Sequence, residues 1–284
     1  MGTPTSARIS DLLPAFFESD PPTVDGESPL VYTASLLRVN EAHLLPATAK
    51  RTTRTIGGTE IELCEAFGGY SVLKKASVTK PSDSYVMLWM KSGDFPVWVG
   101  TCKFSDPFEH LMTLFKLTRF GGAVLRKGME RNLVSLGDLV GLLRSGILSS
   151  EMLSDEVSSE ALFISADSAI SEAIGMMLAN HIRRLFIRGR PGVFLSDRTL
   201  VDFLFSPGRL ELARDRPERW AEEAVSAVGT KTGKECPKLA VAGAAQLMGD
   251  SPDDCLLTSE GRVITRWDLV MKPWMAGMLE VKGG

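Results

Sequence analysis

The sequence predicts an α+β fold built from four copies of one unit, each running strand, helix, strand, strand, helix, with the copies packed in pairs. Two observations predict it. A phrase in which an apolar strand enters Ser or Thr and then a helix recurs as Tyr70-Ser71-Val72-Leu73-Lys74, Val134-Ser135-Leu136-Gly137-Asp138-Leu139, Leu195-Ser196-Asp197-Arg198-Thr199-Leu200 and Ile264-Thr265-Arg266-Trp267-Asp268-Leu269. Its Ser/Thr positions lie 64, 61 and 69 residues apart, a period of supersecondary size. A helix start recurs ahead of the phrase as well: Phe108, Ile170 and Leu239 precede Ser135, Ser196 and Thr265 by 27, 26 and 26 residues.

Copy one opens its helix at Ser28-Pro29-Leu30 and reaches Ser71 only 41 residues after Leu30. The excess falls in the polar, basic and Gly-containing run Ala49 to Gly58, expected as a surface loop insertion over about 48–62. Copy two starts its helix at Asp106-Pro107-Phe108. Copy three is the plainest. Ala161 to Ile164 reads as a short buried strand, Ala166-Asp167-Ser168 as a helix start, and Ile170, Ala173, Ile174, Met177 and Leu178 as an apolar stripe at helical spacing. Arg184 to Ile187 is a second strand, Arg188 to Gly192 a turn, Val193 to Leu195 a third strand, and Thr199 to Phe205 a second helix. The charged run Arg209 to Trp220 is a connector. Copy four repeats the scheme with a helix carrying Leu239, Ala242, Ala245 and Leu247, a strand over Asp254 to Leu257, a turn over Ser259 to Arg262, and Val263-Ile264 leading into Thr265. A unit this small cannot bury both faces of its sheet alone, so pairing is expected.

Composition narrows the function classes. A chain of 284 residues holds about two domains, and a net charge of −3 asks for no polyanionic partner, which disfavours nucleic acid despite the basic stretch Lys50 to Arg54. Cys64, Cys102, Cys236 and Cys255 are scattered, with no CxxC and no His at ligand spacing, and read as reduced, buried thiols. The start lacks a basic segment followed by an apolar one, and no run approaches the roughly 18 apolar residues that span a bilayer, so the expectation is a cytoplasmic protein with no membrane partner. No nucleophile is paired with a base, and His43, His110 and His181 have no partner pattern, so no catalytic or metal-ligating residue is expected.

An apolar strand entering Ser/Thr-x-x-Asp-Leu, set in this order of elements, resembles the cystathionine beta-synthase (CBS) domain. The segments Asp197-Arg198-Thr199-Leu200 and Val263-Ile264-Thr265-Arg266-Trp267-Asp268-Leu269 carry most of the resemblance, which covers 7–80, 98–150, 155–208 and 222–275. It implies two tandem modules, 1–150 and 151–284, arranged like the gamma subunit of AMP-activated kinases with two pairs stacked into a disc. It also implies an adenosyl ligand (AMP, ADP, ATP or S-adenosylmethionine) in the clefts between paired units.

Helix-mouth chemistry agrees with that implication. Ser or Thr at a helix start leaves free backbone N–H groups at the positive end of the dipole, favourable to phosphate. A carboxylate three residues later can accept two hydrogen bonds from a ribose diol. By resemblance Asp138 and Asp268 are the ribose-binding positions and Ser135 and Thr265 the phosphate-facing ones. The same spacing equally describes a capping box, in which the carboxylate bonds back to the cap. Copy three pairs Ser196 with Thr199, a weaker acceptor, and copy one has Lys74, which accepts nothing. By the same resemblance Arg183 and Arg184, at the start of the second strand of copy three, are the leading phosphate candidates, with Arg119, Arg198 and Arg266 behind them; a solvated charged edge is the alternative.

The expectation is therefore a non-catalytic sensor that binds an adenosyl ligand and modulates an unidentified protein, with a homodimer left open. The alternative is a CBS-like scaffold that has lost its ligand and serves dimerisation or protein interaction.

Overall fold

The computed structural model describes residues 7–14, 22–40, 44–251 and 253–282, with backbone alone at 48–50 and 81; His43 lies outside the described residues. Repeat one holds α1 (Ile9–Leu12), α2 (Leu30–Val39), β1 (Leu44–Ile56), β2 (Thr59–Gly68) and α3 (Gly69–Val78), followed by α4 (Ser84–Leu88). Repeat two holds β3 (Val97–Lys103), α5 (Phe108–Thr118), β4 (Gly122–Lys127), β5 (Glu130–Ser135) and α6 (Leu136–Arg144). After β6 (Leu148–Ser149) and α7 (Ser154–Val157) comes repeat three: β7 (Phe163–Ile164), α8 (Ile170–Ala179), β8 (Arg184–Ile187), β9 (Val193–Ser196) and α9 (Asp197–Leu204). Then α10 (Pro207–Asp215) and β10 (Lys231–Thr232) lead into repeat four, made of β11 (Lys234–Glu235), α11 (Val241–Leu247), β12 (Leu256–Leu257), β13 (Val263–Ile264) and α12 (Arg266–Met275), and β14 (Glu280–Val281) ends the described chain.

One pairing rule runs through all four. The first strand lies parallel to the second, across a helical crossover, in β3/β4, β7/β8 and β11/β12, and as a single bridge from Val24 to Ala47 in repeat one. The second strand lies antiparallel to the third in β1/β2, β4/β5, β8/β9 and β12/β13. Hydrogen bonds from β2 to β3 join repeats one and two into a five-stranded sheet, whereas β10, in the linker ahead of repeat four, joins β9 of repeat three.

Strand alternation sends successive side chains to opposite faces, and the central strands carry apolar side chains on both. On β4, Ala123 and Leu125 face the core beneath α5 and α6, while Val124 faces Leu44, Cys64, Ala66, Val97 and Val99 from neighbouring strands. The helical cores cross between the halves of the chain. Phe115, Leu139 and Leu143 of repeat two share one core with Val241, Ala245 and Leu269 of repeat four. Leu37, Phe67 and Leu73 of repeat one share another with Ile174, Leu185 and Leu200 of repeat three. Phe186 and Phe194 meet Cys255 and Val263 between the strands of repeats three and four.

Three expectations need correction. The run expected as a loop is the two arms of a long hairpin, Leu44–Ile56 and Thr59–Gly68, turned at Gly57 and Gly58 with φ of 58° and 81°. Its β-branched Thr52, Thr53, Thr55 and Ile56 suit a strand, and Arg54 lies over the ring of Trp98. In repeat one the helix cap is Gly68 and not Ser71, because Leu44 pairs with Gly68 in the register that Gly122 has with Ser135 and Arg184 with Ser196. Ser71 thus holds the third helical position, and Lys74 lies exposed beyond the mouth. In repeat four the helix begins at Val241, past Leu239.

Where α5 crosses β3 there is no room for a side chain: a Cβ on Gly100 would lie 2.8 Å from the Leu114 Cβ. Gly100→Ala is expected to destabilise the protein by about 1–3 kcal/mol, the usual cost of overpacking, read as a lower urea midpoint with an unchanged slope.

Candidate functional site

Each repeat brings its third strand directly into a helix, so each has a mouth where the N–H groups without partners inside that helix emerge. In repeat two Asp138 Oδ2 accepts from Ser135 N at 2.7 Å and from Ser135 Oγ at 2.8 Å, and Gly137 N donates to Ser135 Oγ at 3.2 Å. Asp138 Oδ1 has no partner among the described residues. In repeat four Asp268 Oδ2 accepts from Thr265 N at 2.8 Å and from Thr265 Oγ1 at 2.6 Å. Its Oδ1 is taken by Ser159 Oγ at 2.7 Å and by Lys272 Nζ at 3.0 Å, and the residue is buried. In repeat three Ser196 N donates to Thr199 Oγ1 at 2.8 Å and Thr199 N to Ser196 Oγ at 3.1 Å, a hydroxyl version of the same box. In repeat one Gly68 N donates to Ser71 Oγ at 3.3 Å.

The mouths meet in pairs. A Cβ on Gly137 would sit 2.5 Å from Arg266 Nη1, and one on Gly69 would sit 3.0 Å from Asp197 Oδ2, so repeat two faces repeat four and repeat one faces repeat three.

The candidate arginines turn largely inward. Arg183 bonds and pairs with the buried Asp197 carboxylate at 2.8 Å. Arg184 donates to the carbonyls of Asp253 and Asp254 at 2.9 and 3.3 Å. Arg266 donates to the carbonyls of Gly249, Asp250 and Ser251 at 3.0, 2.7 and 2.9 Å, and burial, together with the Arg184 and Arg144 charges, pulls it below the usual arginine range. Arg119 is exposed in the left-handed region, φ 59°, at the end of α5. Arg198 lines a water-sized cavity of about 10 Å³ with Leu37, Arg38, Gly69, Asp197 and Asp202. Arg144 plays no part in the sequence phrase yet reaches the same carbonyl loop, donating to Ala245 O at 2.9 Å, to Gly249 O at 3.2 Å and to Met248 O, and pairing with Asp250.

A larger cleft of about 220 Å³ opens between the strands of repeats one and two, lined by Thr23, Pro46, Ala47, Cys64, Val124, Met129 and Arg131. None of the residues expected to bind ligand lines it. The Arg131 side chain has no hydrogen bond or ion pair among the described residues, while burial pushes the Cys64 thiol above its usual range. The cleft and the mouth of repeat two are reached by the same strand. Arg131, Leu133 and Ser135 alternate along β5 and so share one face, with Arg131 about 13 Å from Ser135 at the usual strand rise. That face carries a cation, an apolar side chain, a hydroxyl and, one helical turn further on, the carboxylate oxygen of Asp138 that nothing else uses. Among the described residues no group of three or more His, Cys, Asp or Glu side chains could hold a metal ion, and no helix is long and apolar enough to cross a membrane.

Four pseudo-equivalent strand, helix, strand, strand, helix units, joined through strands to one neighbour and through helices to another, define a four-repeat CBS-domain fold arranged like the gamma subunit of AMP-activated kinase. In particular the chain is similar to protein MJ1225 of Methanocaldococcus jannaschii, described as a candidate archaeal homologue of gamma-AMPK, with a TM-score of 0.76 at 12% identity over 94% of this chain and 100% of that one. A CBS-domain protein of Agrobacterium tumefaciens matches 50% of this chain and 95% of its own at 17% identity and a TM-score of 0.36. CBSX2, solved in complex with AMP, matches 46% of this chain and 95% of its own at 10% identity and a TM-score of 0.29. The fold is defined by the first likeness and not by these two weaker ones. No protein-family model matches the sequence, and no curated protein is similar to it.

Beside the small cavity, Asp202 Oδ1 is buried without a hydrogen-bond partner, and burial raises the Asp202 carboxyl above its usual range against the opposing pull of Arg198 and Arg38. A carboxyl raised in the folded state penalises folding at neutral pH, and the penalty fades as pH falls through its folded pKa. Asp202→Asn is therefore expected to raise the urea midpoint at pH 7, with the gain shrinking as pH approaches the unperturbed aspartate value of about 3.9.

Proposed function

We propose that the chain is a non-catalytic regulatory protein that binds an adenine nucleotide or related adenosyl ligand between repeats one and two and passes the signal to a separate protein. The observation that supports this reading is that β5 carries Arg131 of the cleft and Ser135 of the mouth on one face, with Asp138 one helical turn beyond. Asp138 accepts a ribose diol through Oδ1, the positive dipole end of α6 favours a phosphate oxygen, and the apolar cleft wall suits a purine ring. Arg131 adds a guanidinium that can meet either a phosphate or the ring edge. Ligand alters output only if it binds two arrangements of the repeats unequally. Four buried, unpaired cysteines fit a reducing cytoplasm.

The test is calorimetry and thermal shift of the purified protein against AMP, ADP, ATP and S-adenosylmethionine. An adenosyl ligand is expected to raise the melting temperature, because it binds the folded state alone. Asp138→Ala is expected to weaken that ligand at least tenfold, since charge-assisted hydrogen bonds contribute about 1.5–3 kcal/mol each, and Arg131→Ala to weaken it as well. Flat responses to all four compounds would overturn the sensor reading.

The inward bonds of Asp268, Arg183, Arg184 and Arg266 favour a second reading, a ligand-free scaffold for dimerisation or protein interaction. A protein that binds none of the four ligands but elutes as a dimer would establish it.

A further inference from the structure

The mouths of repeats two and four are built alike and end differently. In both, the carboxylate three residues into the helix closes a box on its cap through Oδ2, at 2.7 and 2.8 Å in one and 2.8 and 2.6 Å in the other. Asp138 then leaves Oδ1 open, whereas Asp268 gives its Oδ1 to the hydroxyl of Ser159 and the ammonium of Lys272.

Ser158 and Ser159 form a two-residue strap between α7 and β7. Ser159 and Val263 exchange both backbone hydrogen bonds at 2.8 Å, which lays the strap along β13. Arg262 donates to Ser158 Oγ and O at 2.8 and 3.0 Å, and Lys272 donates to Ser158 O and Ser159 Oγ at 2.8 and 2.7 Å. Lys272 thus neutralises Asp268 and holds the strap hydroxyl against it. Counting from the first helical residue, Leu136 in α6 and Arg266 in α12, the position of Lys272 is filled in repeat two by Leu142, which has neither charge nor donor.

We infer that repeat four is a second site of the same class as repeat two, occupied by the chain's own Ser159 hydroxyl and locked by Lys272. This rests on the reading of repeat two as the ligand site. Ser159 presents to Asp268 Oδ1 what a ligand hydroxyl would present, a single O–H donor in a buried setting. A diol brings two donors and competes for the carboxylate only when the strap lifts. Repeat two then responds to ligand directly and repeat four only when something displaces the strap, which makes residues 158–159 an autoinhibitory contact.

The test counts ligands per chain by calorimetry, with AMP and S-adenosylmethionine as probes, for the wild type and for Ser159→Ala/Lys272→Leu, the second change installing the side chain that repeat two carries. One equivalent in the wild type and two in the variant, with the added one lost on Asp268→Ala, is the expected result. Lys272→Leu alone provides a milder version should the double variant melt below the assay temperature, and its expected effect is a second, weaker equivalent. A folded variant that still binds one equivalent would overturn the strap and leave repeat two intact. Absence of binding by both proteins would overturn the two readings together.

Discussion

Every repeat carries a sheet of few strands with helices against one side, and the other side has its own smaller set of apolar side chains. That constraint organises the molecule. Burying that other side requires strands from a neighbour, as where Val124 meets Cys64 and Val99, or where Phe186 and Phe194 meet Val263. The helices are too short to seal their own outer faces and bury them against another repeat, as Leu143 does against Ala245 and Leu73 against Leu200. Two kinds of apolar face per unit, each needing a different partner, lead to four units rather than two. Apolar burial of this kind stabilises by roughly 25 cal/mol per Å², so no repeat retains much stability once its neighbours are removed.

The same arrangement gathers cationic charge on one loop. Arg144, Arg184 and Arg266 come from three different repeats and end on the carbonyls of residues 245–254. Carbonyl oxygens disperse cationic charge without the desolvation cost of a buried carboxylate for each arginine. Arg266 holds the three successive carbonyls of residues 249–251 through the one terminal nitrogen Nη2.

How far the sequence foretold this depends on the element. Repeats two, three and four were legible because a strand ending in Ser or Thr, and a helix start a set distance upstream, are local signals that burial reinforces. Repeat one misled because Ser71, with its apolar neighbours, resembles a cap, while the true cap is a glycine whose role only the strand register reveals. The hairpin is masked by its basic, polar composition, although Thr52, Thr53 and Thr55 have branched side chains that favour a strand even there. Residue types at the mouths were foreseen; their commitments were not. Ser159 lies 109 residues from Asp268, and no spacing rule connects them. Arg131 and Thr23 fall outside the recurring phrase, so the cleft they line left no mark that periodicity could detect.

The shared helical cores also bear on how such a chain is made. Helices α6 and α12, which bury against each other, are separated by more than a hundred residues, and β6 waits for β14 across a similar interval. On the ribosome, at about 5–20 residues per second, the apolar face of α6 therefore stays uncovered for many seconds after it forms. The first half of the nascent chain passes through a period as an adhesive, half-finished surface. That interval of exposure is set by the topology alone.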